Sequence, residues 1–268
     1  MTKNTYSKAH KKYLKNLRIK TFSIHAVRIL ILILILGLWE LCATFNVIDP
    51  FITSSPSRVI NQLGILISDG SLWHHSWITL YETILAFAIS TLLGTAIALL
   101  LYAIAPLRKV LEPYLIVLNS LPKIALGPLI IVWMGTGTKS IVTMGVLICI
   151  VITTISMLNG YLSISNEKIL LLKTMGANRF QILTRLILPA SFKDFVSVLK
   201  INVGMSWVGV VMGEYLTSKA GLGYLIVYGG QVFKLDLVMC SIVVLCVMAG
   251  IMYGLVALLE MIVNRKSA

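Results

Sequence analysis

The sequence predicts an all-α membrane protein with six transmembrane helices. Three observations carry this. Of 268 residues, 58% are hydrophobic and only 12% are charged, about half the charged share of a soluble domain, and the mean hydropathy is +0.92. The apolar residues gather into runs of about 20 or more, the length at which a helix crosses a bilayer. The charges fall between those runs. This composition excludes a cytosolic enzyme, a disordered chain and a disulfide-stapled secreted domain. It also disfavours an outer-membrane barrel, whose strands alternate over about 10 residues.

Residues 1–25 are polar and basic, with Lys3, Lys8, Lys11, Lys12, Lys15, Arg18 and Lys20. They read as a cytoplasmic N-terminal tail, either partly ordered or laid as a surface helix on anionic membrane lipid. The stretch lacks a cleavage site and is not a cleavable signal peptide. Residues 26–268 make up the six-span domain. The first span runs from about Ala26 to Phe45, and Asp49-Pro50 stops it. Residues 56–76 read as an amphipathic helix, because Val59, Ile60, Leu63, Leu66 and Ile67 recur at helical spacing. The second span covers about 78–104. The third covers about 113–134 and is broken by Pro122 and Pro128. The fourth covers about 140–162 and the fifth about 195–216. Residues 217–235 are glycine-rich and are expected to dip back into the membrane edge. The sixth span covers about 237–263.

Charge sets the orientation. With six spans, 19 Lys and Arg fall on the side of the termini and four, Arg58, Lys139, Lys219 and Lys234, on the other. The positive-inside rule then puts both termini and the 163–193 loop in the cytoplasm. The same rule accounts for the net charge of +13. No aromatic–basic interleaving accompanies it, so no nucleic-acid partner is expected.

The 163–193 loop is long where the other loops are short. Residues 164–175 read as a helix with Ser165 or Asn166 as its cap. Glu167 sits in the first turn, where it suits the helix dipole. Gly176 should end this helix in the left-handed conformation. A second helix should run from Asn178 towards Leu188, limited by Pro189. Leu170, Leu171, Leu172 and Met175 are too apolar for a free surface and suggest insertion into a partner.

Gly176, followed after nine residues by Leu186-Ile187-Leu188-Pro189, resembles the EAA loop of ABC importer permeases. Further stretches resemble the nitrate/sulfonate/taurine/bicarbonate permease family. They are Leu121-Pro122-Lys123-Ile124-Ala125-Leu126-Gly127-Pro128-Leu129, then Trp133-Met134-Gly135-Thr136-Gly137, then Gly213-Glu214, then Gly221-Leu222-Gly223-Tyr224-Leu225-Ile226. The resemblance covers about residues 54–263. It implies the type I ABC importer fold and a multi-pass place in the bacterial cytoplasmic membrane. It also implies two ABC ATPase subunits, a second permease copy read as a homodimer, and an extracellular or periplasmic solute-binding protein. ATP and Mg would bind the ATPase, so this chain needs no cofactor and catalyses nothing. The ATPase would grip Glu167, Lys168, Leu170, Leu171, Leu172, Lys173, Thr174, Met175, Gly176, Ala177 and Pro189. The family's Glu-Ala-Ala falls on Leu170-Leu171-Leu172, so the salt bridge its Glu makes has no equivalent there. Glu167 stands one turn earlier. The family handles sulfonates, taurine, nitrate, bicarbonate and thiamine-precursor pyrimidines.

Other patterns fail on chemistry. Gly135-Thr136-Gly137-Thr138-Lys139-Ser140 lacks the glycine that a phosphate loop needs before its lysine. Ser120-Leu121-Pro122-Lys123 has no Lys-Thr-Gly partner. His74 and His75 are adjacent on a helix and point about 100° apart, so they read as interfacial residues beside Trp73 and Trp77. The cysteines Cys42, Cys149, Cys240 and Cys246 form no metal or disulfide framework.

Acids in apolar spans mark a pathway or a partner. Glu82 and Glu214 are expected to orient helices or tune a gate. Asn202 and Ser206 share one face of the fifth span, either lining the path or hydrogen-bonding between helices. Gly209–Gly213 and Gly250–Gly254 are GxxxG patterns that permit close helix approach. A secondary transporter or channel without an ATPase is the alternative reading, and it would leave the 163–193 loop without a purpose.

Overall fold

The computed structural model describes residues 8–266, which are almost wholly helical. Residues up to Gln62 form one compact unit and those from Leu63 another. In the first unit, α1 runs over Lys8–Thr44, so the basic stretch from Lys8 onward and the first span are one continuous helix, while residues 1–7 of the expected tail lie outside the described residues. The short α2 (Pro50–Thr53) is capped by Asp49, whose carboxylate accepts the Phe51 N–H at 2.8 Å. α3 spans Pro56–Ser68. Glu40, near the end of α1, accepts the N–H and the hydroxyl of Ser57 at 3.0 and 2.8 Å.

The amphipathic helix predicted for 56–76 stops at Ser68. Gly70 takes a φ of +74°, and the next helix starts at Ser71. The second unit is built on three long helices: α4 (Ser71–Ala103), α7 (Thr138–Leu162) and α11 (Phe192–Thr217). Their pairing is read from close approaches. Gly145 of α7 lies against Ala86 of α4, and Thr153 lies against Gly94, so α4 and α7 run parallel. Gly209 of α11 lies against Gly145, and Gly213 lies against Ile141, so α11 runs antiparallel to α7. A Cβ on Gly209 would stand 2.5 Å from the Gly145 Cα. Backbones can approach this closely only where side chains are missing.

Around this core, α5 (Ala105–Ser120), a 3₁₀ turn (Lys123–Leu126) and α6 (Gly127–Met134) replace the predicted third span. The two arms meet at 86°. Pro122 causes the break, since it forces Leu121 out of the helical region (φ −65°, ψ 136°). Among the described residues five helices are therefore long and apolar enough to cross a membrane, and the bent pair is the sixth if counted as one. The glycine-rich segment holds α12 (Leu222–Gln231), packed on α4, α11 and α13 (Leu235–Lys266). Lys200 of α11 forms an ion pair with Glu260 of α13. The GxxxG at Gly209 is filled, whereas Gly250 and Gly254 meet nothing within 4 Å.

Candidate functional site

The 163–193 loop folds into a knob. α8 covers Asn166–Thr174, with Ser165 in the N-cap position and Glu167 in its first turn. Gly176 ends the helix with a φ of +82°. Its N–H meets the Lys173 carbonyl at 3.0 Å, and the Ala177 N–H meets the Leu172 carbonyl at 2.9 Å. This is the Schellman pattern, which spares the last carbonyls at the cost of one left-handed residue. Asn178 and Gln181 then exchange hydrogen bonds, both 2.8 Å, in a capping box that opens α9 (Arg179–Ile182).

Pro189 does not limit the second helix as predicted. A π-helical turn over Leu183–Ile187 comes first, with the Leu188 N–H bonded to the Leu183 carbonyl. Proline has no N–H to give the preceding turn, and a wider turn relocates the bonds around it. The chain continues helically through α10 (Leu188–Ala190) into α11.

The knob has two faces. Ile169, Leu172 and Ala177 pack inward on a core of Leu101, Met157, Leu158, Tyr161, Ile182 and Val198. Leu172 thus turns towards its own protein, where the sequence reading had it facing a partner. Leu170, Leu171 and Met175 stand out at 62%, 61% and 74% exposure. Glu167, Lys168, Lys173, Thr174 and Gly176 of the same segment are exposed too, and so is Pro189.

A second constellation lies at the far end of α11. Glu214 and Glu82 are each 1% exposed. The Gly223 N–H donates to Glu214 Oε2 at 2.5 Å. The Leu222 N–H donates to Thr79 Oγ1 at 2.8 Å, and the Gly221 N–H to His75 Nδ1 at 2.9 Å. Three successive N–H groups that α12 cannot satisfy itself are thus held by side chains of α4 and α11. A Cβ on Gly223 would lie 2.7 Å from Glu214 Oε2. Gly221, at φ +111°, faces the same carboxyl. The two sequence stretches Gly213-Glu214 and Gly221–Ile226 are therefore one structure, a latch between α12 and the core. His75 accepts a backbone N–H and stacks on Tyr224 at 6.0 Å. Among the described residues no group of His, Cys, Asp and Glu could hold a metal.

Between knob and latch, Asn202 and Ser206 are wholly buried. Asn202 donates to Thr91 Oγ1 and accepts from Thr153 Oγ1, both at 2.9 Å, tying α11 to α4 and α7. Ser206 donates to the Asn202 carbonyl at 2.7 Å and meets Cys149 Sγ at 3.5 Å. Sequence reasoning read His75 only as an interfacial residue, and it missed Thr79, Thr91 and Thr153. Their partners lie 49 to 146 residues away, and no local signal marks them.

Comparison with known proteins places this architecture. The family model described as "binding-protein-dependent transport system inner membrane component" matches residues 90–267. A probable ABC transporter permease protein of Haemophilus influenzae is 31% identical over 81% of this chain and 88% of its own length. The taurine transport system permease protein TauC of Escherichia coli is 27% identical over 81% of each. The inward-facing MetNI methionine ABC transporter shares the fold, with a TM-score of 0.62 at 20% identity over 70% of this chain and 93% of that one. Permeases of this type carry no ATP site, and a separate subunit hydrolyses ATP. The chain belongs to the family of binding-protein-dependent transport system inner membrane components, as a non-catalytic, multi-pass ABC importer permease.

Proposed function

We propose that this chain forms the translocation path for a small anionic solute of the sulfonate, taurine or nitrate kind. A solute-binding protein delivers the solute, two ATPase subunits drive the cycle, and a second copy of this chain completes the path. The termini and the α8 knob face the cytoplasm. The observation that carries the coupling role is the two-faced knob. Its inner face is fixed to the core by Ile169 and Leu172, and its outer face leaves Leu170, Leu171 and Met175 exposed. Burying such side chains contributes about 1.5–3 kcal/mol each, enough to seat the knob in an ATPase groove without the family's Glu. Glu167 is placed to meet a basic group at the groove's rim. The solute class rests on the taurine permease among the relatives.

The test is a ligand screen of the cognate binding protein, followed by uptake of the hit in cells carrying all three components. Binding of taurine, an alkyl sulfonate or nitrate, with uptake that requires this chain, is the expected result. A hit confined to flavins, pyrimidines or amino acids would remove the solute class and leave the permease role standing. ATP hydrolysis by the purified single chain would remove the division of labour.

A further inference from the structure

The latch holds two carboxyls in a place that can tolerate one negative charge at most. Glu82 on α4 and Glu214 on α11 are buried to 1% and lie within hydrogen-bonding reach of each other. Neither has an ion-pair partner among the described residues. Glu82 Oε2 and Glu214 Oε1 are shut away from solvent and find no donor. The groups around them cannot supply a cation. From α4 come His75, with Nδ1 occupied by the Gly221 N–H, and Thr79, which reaches Glu214 while its hydroxyl donates to the His75 carbonyl at 3.1 Å. From α7 comes Thr138, which reaches Glu82, and the adjoining Lys139 is exposed. From α11 comes Tyr215, beside Glu214. From the α12 side come Tyr224, stacked on His75, and backbone N–H groups, while Lys219 is exposed.

Ionised carboxylates are acceptors only, and two of them side by side out of water repel. A proton shared between them removes one charge and supplies the donor that the pair lacks. We propose that Glu82 and Glu214 form a binding site for one exchangeable proton, and that this proton holds the α12 latch shut. When the latch opens to water the proton leaves to solvent and two carboxylates remain. When it closes, one proton is taken back from solvent. Loss of the proton drives Glu214 from Glu82. The Gly221–Gly223 turn is bonded to both α11 and α4, so it cannot follow both. His75 opposes this in sign, since protonating Nδ1 on acidification would release the Gly221 N–H. Alkaline release therefore marks the carboxyl pair and acid release marks the histidine.

The assembled transporter in lipid vesicles is the right material, and the readouts are two. Infrared difference spectroscopy should show a protonated carboxyl band in the wild type that shifts in heavy water and is lost in Glu82→Gln and in Glu214→Gln. Hydrogen exchange across Gly221–Gly223 should accelerate on alkalinisation beyond the intrinsic dependence of amides, in step with loss of that band. Glu82→Gln keeps an N–H donor for Glu214, so its excess acceleration should vanish while the latch stays protected at neutral pH. A wild type with no such band would overturn the site, as would a band that survives both substitutions. Should either variant fail to assemble, the wild-type titration decides: the band and the protection must disappear together. Neither readout needs solute or ATP hydrolysis, so failure here leaves the permease role untouched.

Discussion

Glu214 dictates what its neighbours can be. Its carboxyl fills the space that side chains would occupy at both Gly221 and Gly223. Adding a methyl at Gly223 sets a Cβ 2.7 Å from Oε2 and 3.0 Å from the Val211 carbonyl, and the helix must shift. Gly223→Ala should therefore lower stability by about 1–3 kcal/mol, the usual cost of overpacking. Gly230→Ala, on the same helix with nothing within 4 Å, should be neutral. Thermal unfolding of the two purified variants measures the difference, and equal midpoints would contradict the packing described. Asn202 makes a comparable case. Asn202→Leu deprives Thr91 and Thr153 of their buried partner, and should cost about 1–2 kcal/mol in the same assay. The polar face of α11 was legible in the sequence, because Asn202 and Ser206 stand four residues apart. What the face bonds to was not, since Thr91 is 111 residues away. Hydroxyls inside apolar helices also bond their own backbone often enough to leave no pattern.

Turns and helix contacts obey more local rules, and the sequence was a better guide to them. Gly176 is an example: a glycine directly after an apolar helix forecasts the left-handed stop that the structure shows. Any Cβ at φ +82° is strained by about 1 kcal/mol or more, and a β-branched residue by more. Gly176→Val should reduce ATPase co-purification and uptake while membrane abundance stays near normal. Gly160→Val should act differently, since a Cβ there meets Asp194 at 3.0 Å, and its defect should appear as lost abundance. Normal uptake and ATPase recovery in Gly176→Val would take the knob out of the coupling role. The two GxxxG patterns were indistinguishable by sequence, because each needs only spacing. Their surroundings separate them. Gly209→Leu drives a side chain into the Gly145 backbone and should abolish folding, whereas Gly250→Leu meets open space and should leave the monomer's stability within about 0.5 kcal/mol. Recovery of folded protein after detergent extraction compares the pair. Pro122 and Pro189 show the remaining gap. One proline bends the chain by 86°. The other passes smoothly behind a π-turn, because the turn before it could widen. Whether a turn can widen depends on tertiary packing around it, not on the proline.

Across the whole molecule, charge asymmetry makes the most direct forecast. In a background with Cys42 and Cys246 replaced, single cysteines at Arg179 and at Lys219 should react with impermeant thiol reagents from opposite sides of the membrane. Labelling of both from outside would refute the six-crossing topology, including the counting of α5 and α6 as one crossing. Mechanically, α11 begins at the knob and ends at the latch. Its 26 residues make a rod of about 39 Å. The rod comes close to α7 where Gly209 meets Gly145, and a contact of near-bare backbone is a natural fulcrum. From there the arm to Phe192 is about 26 Å and the arm to Glu214 about 8 Å at helical rise. Such a lever trades distance for force roughly threefold. A sideways push of about 2 Å at the knob would arrive at the carboxyls as well under 1 Å of travel at these arm lengths, but with multiplied thrust. That ratio suits a catch whose bonds are 2.5 to 2.9 Å long, since short, stiff bonds yield to force over little travel.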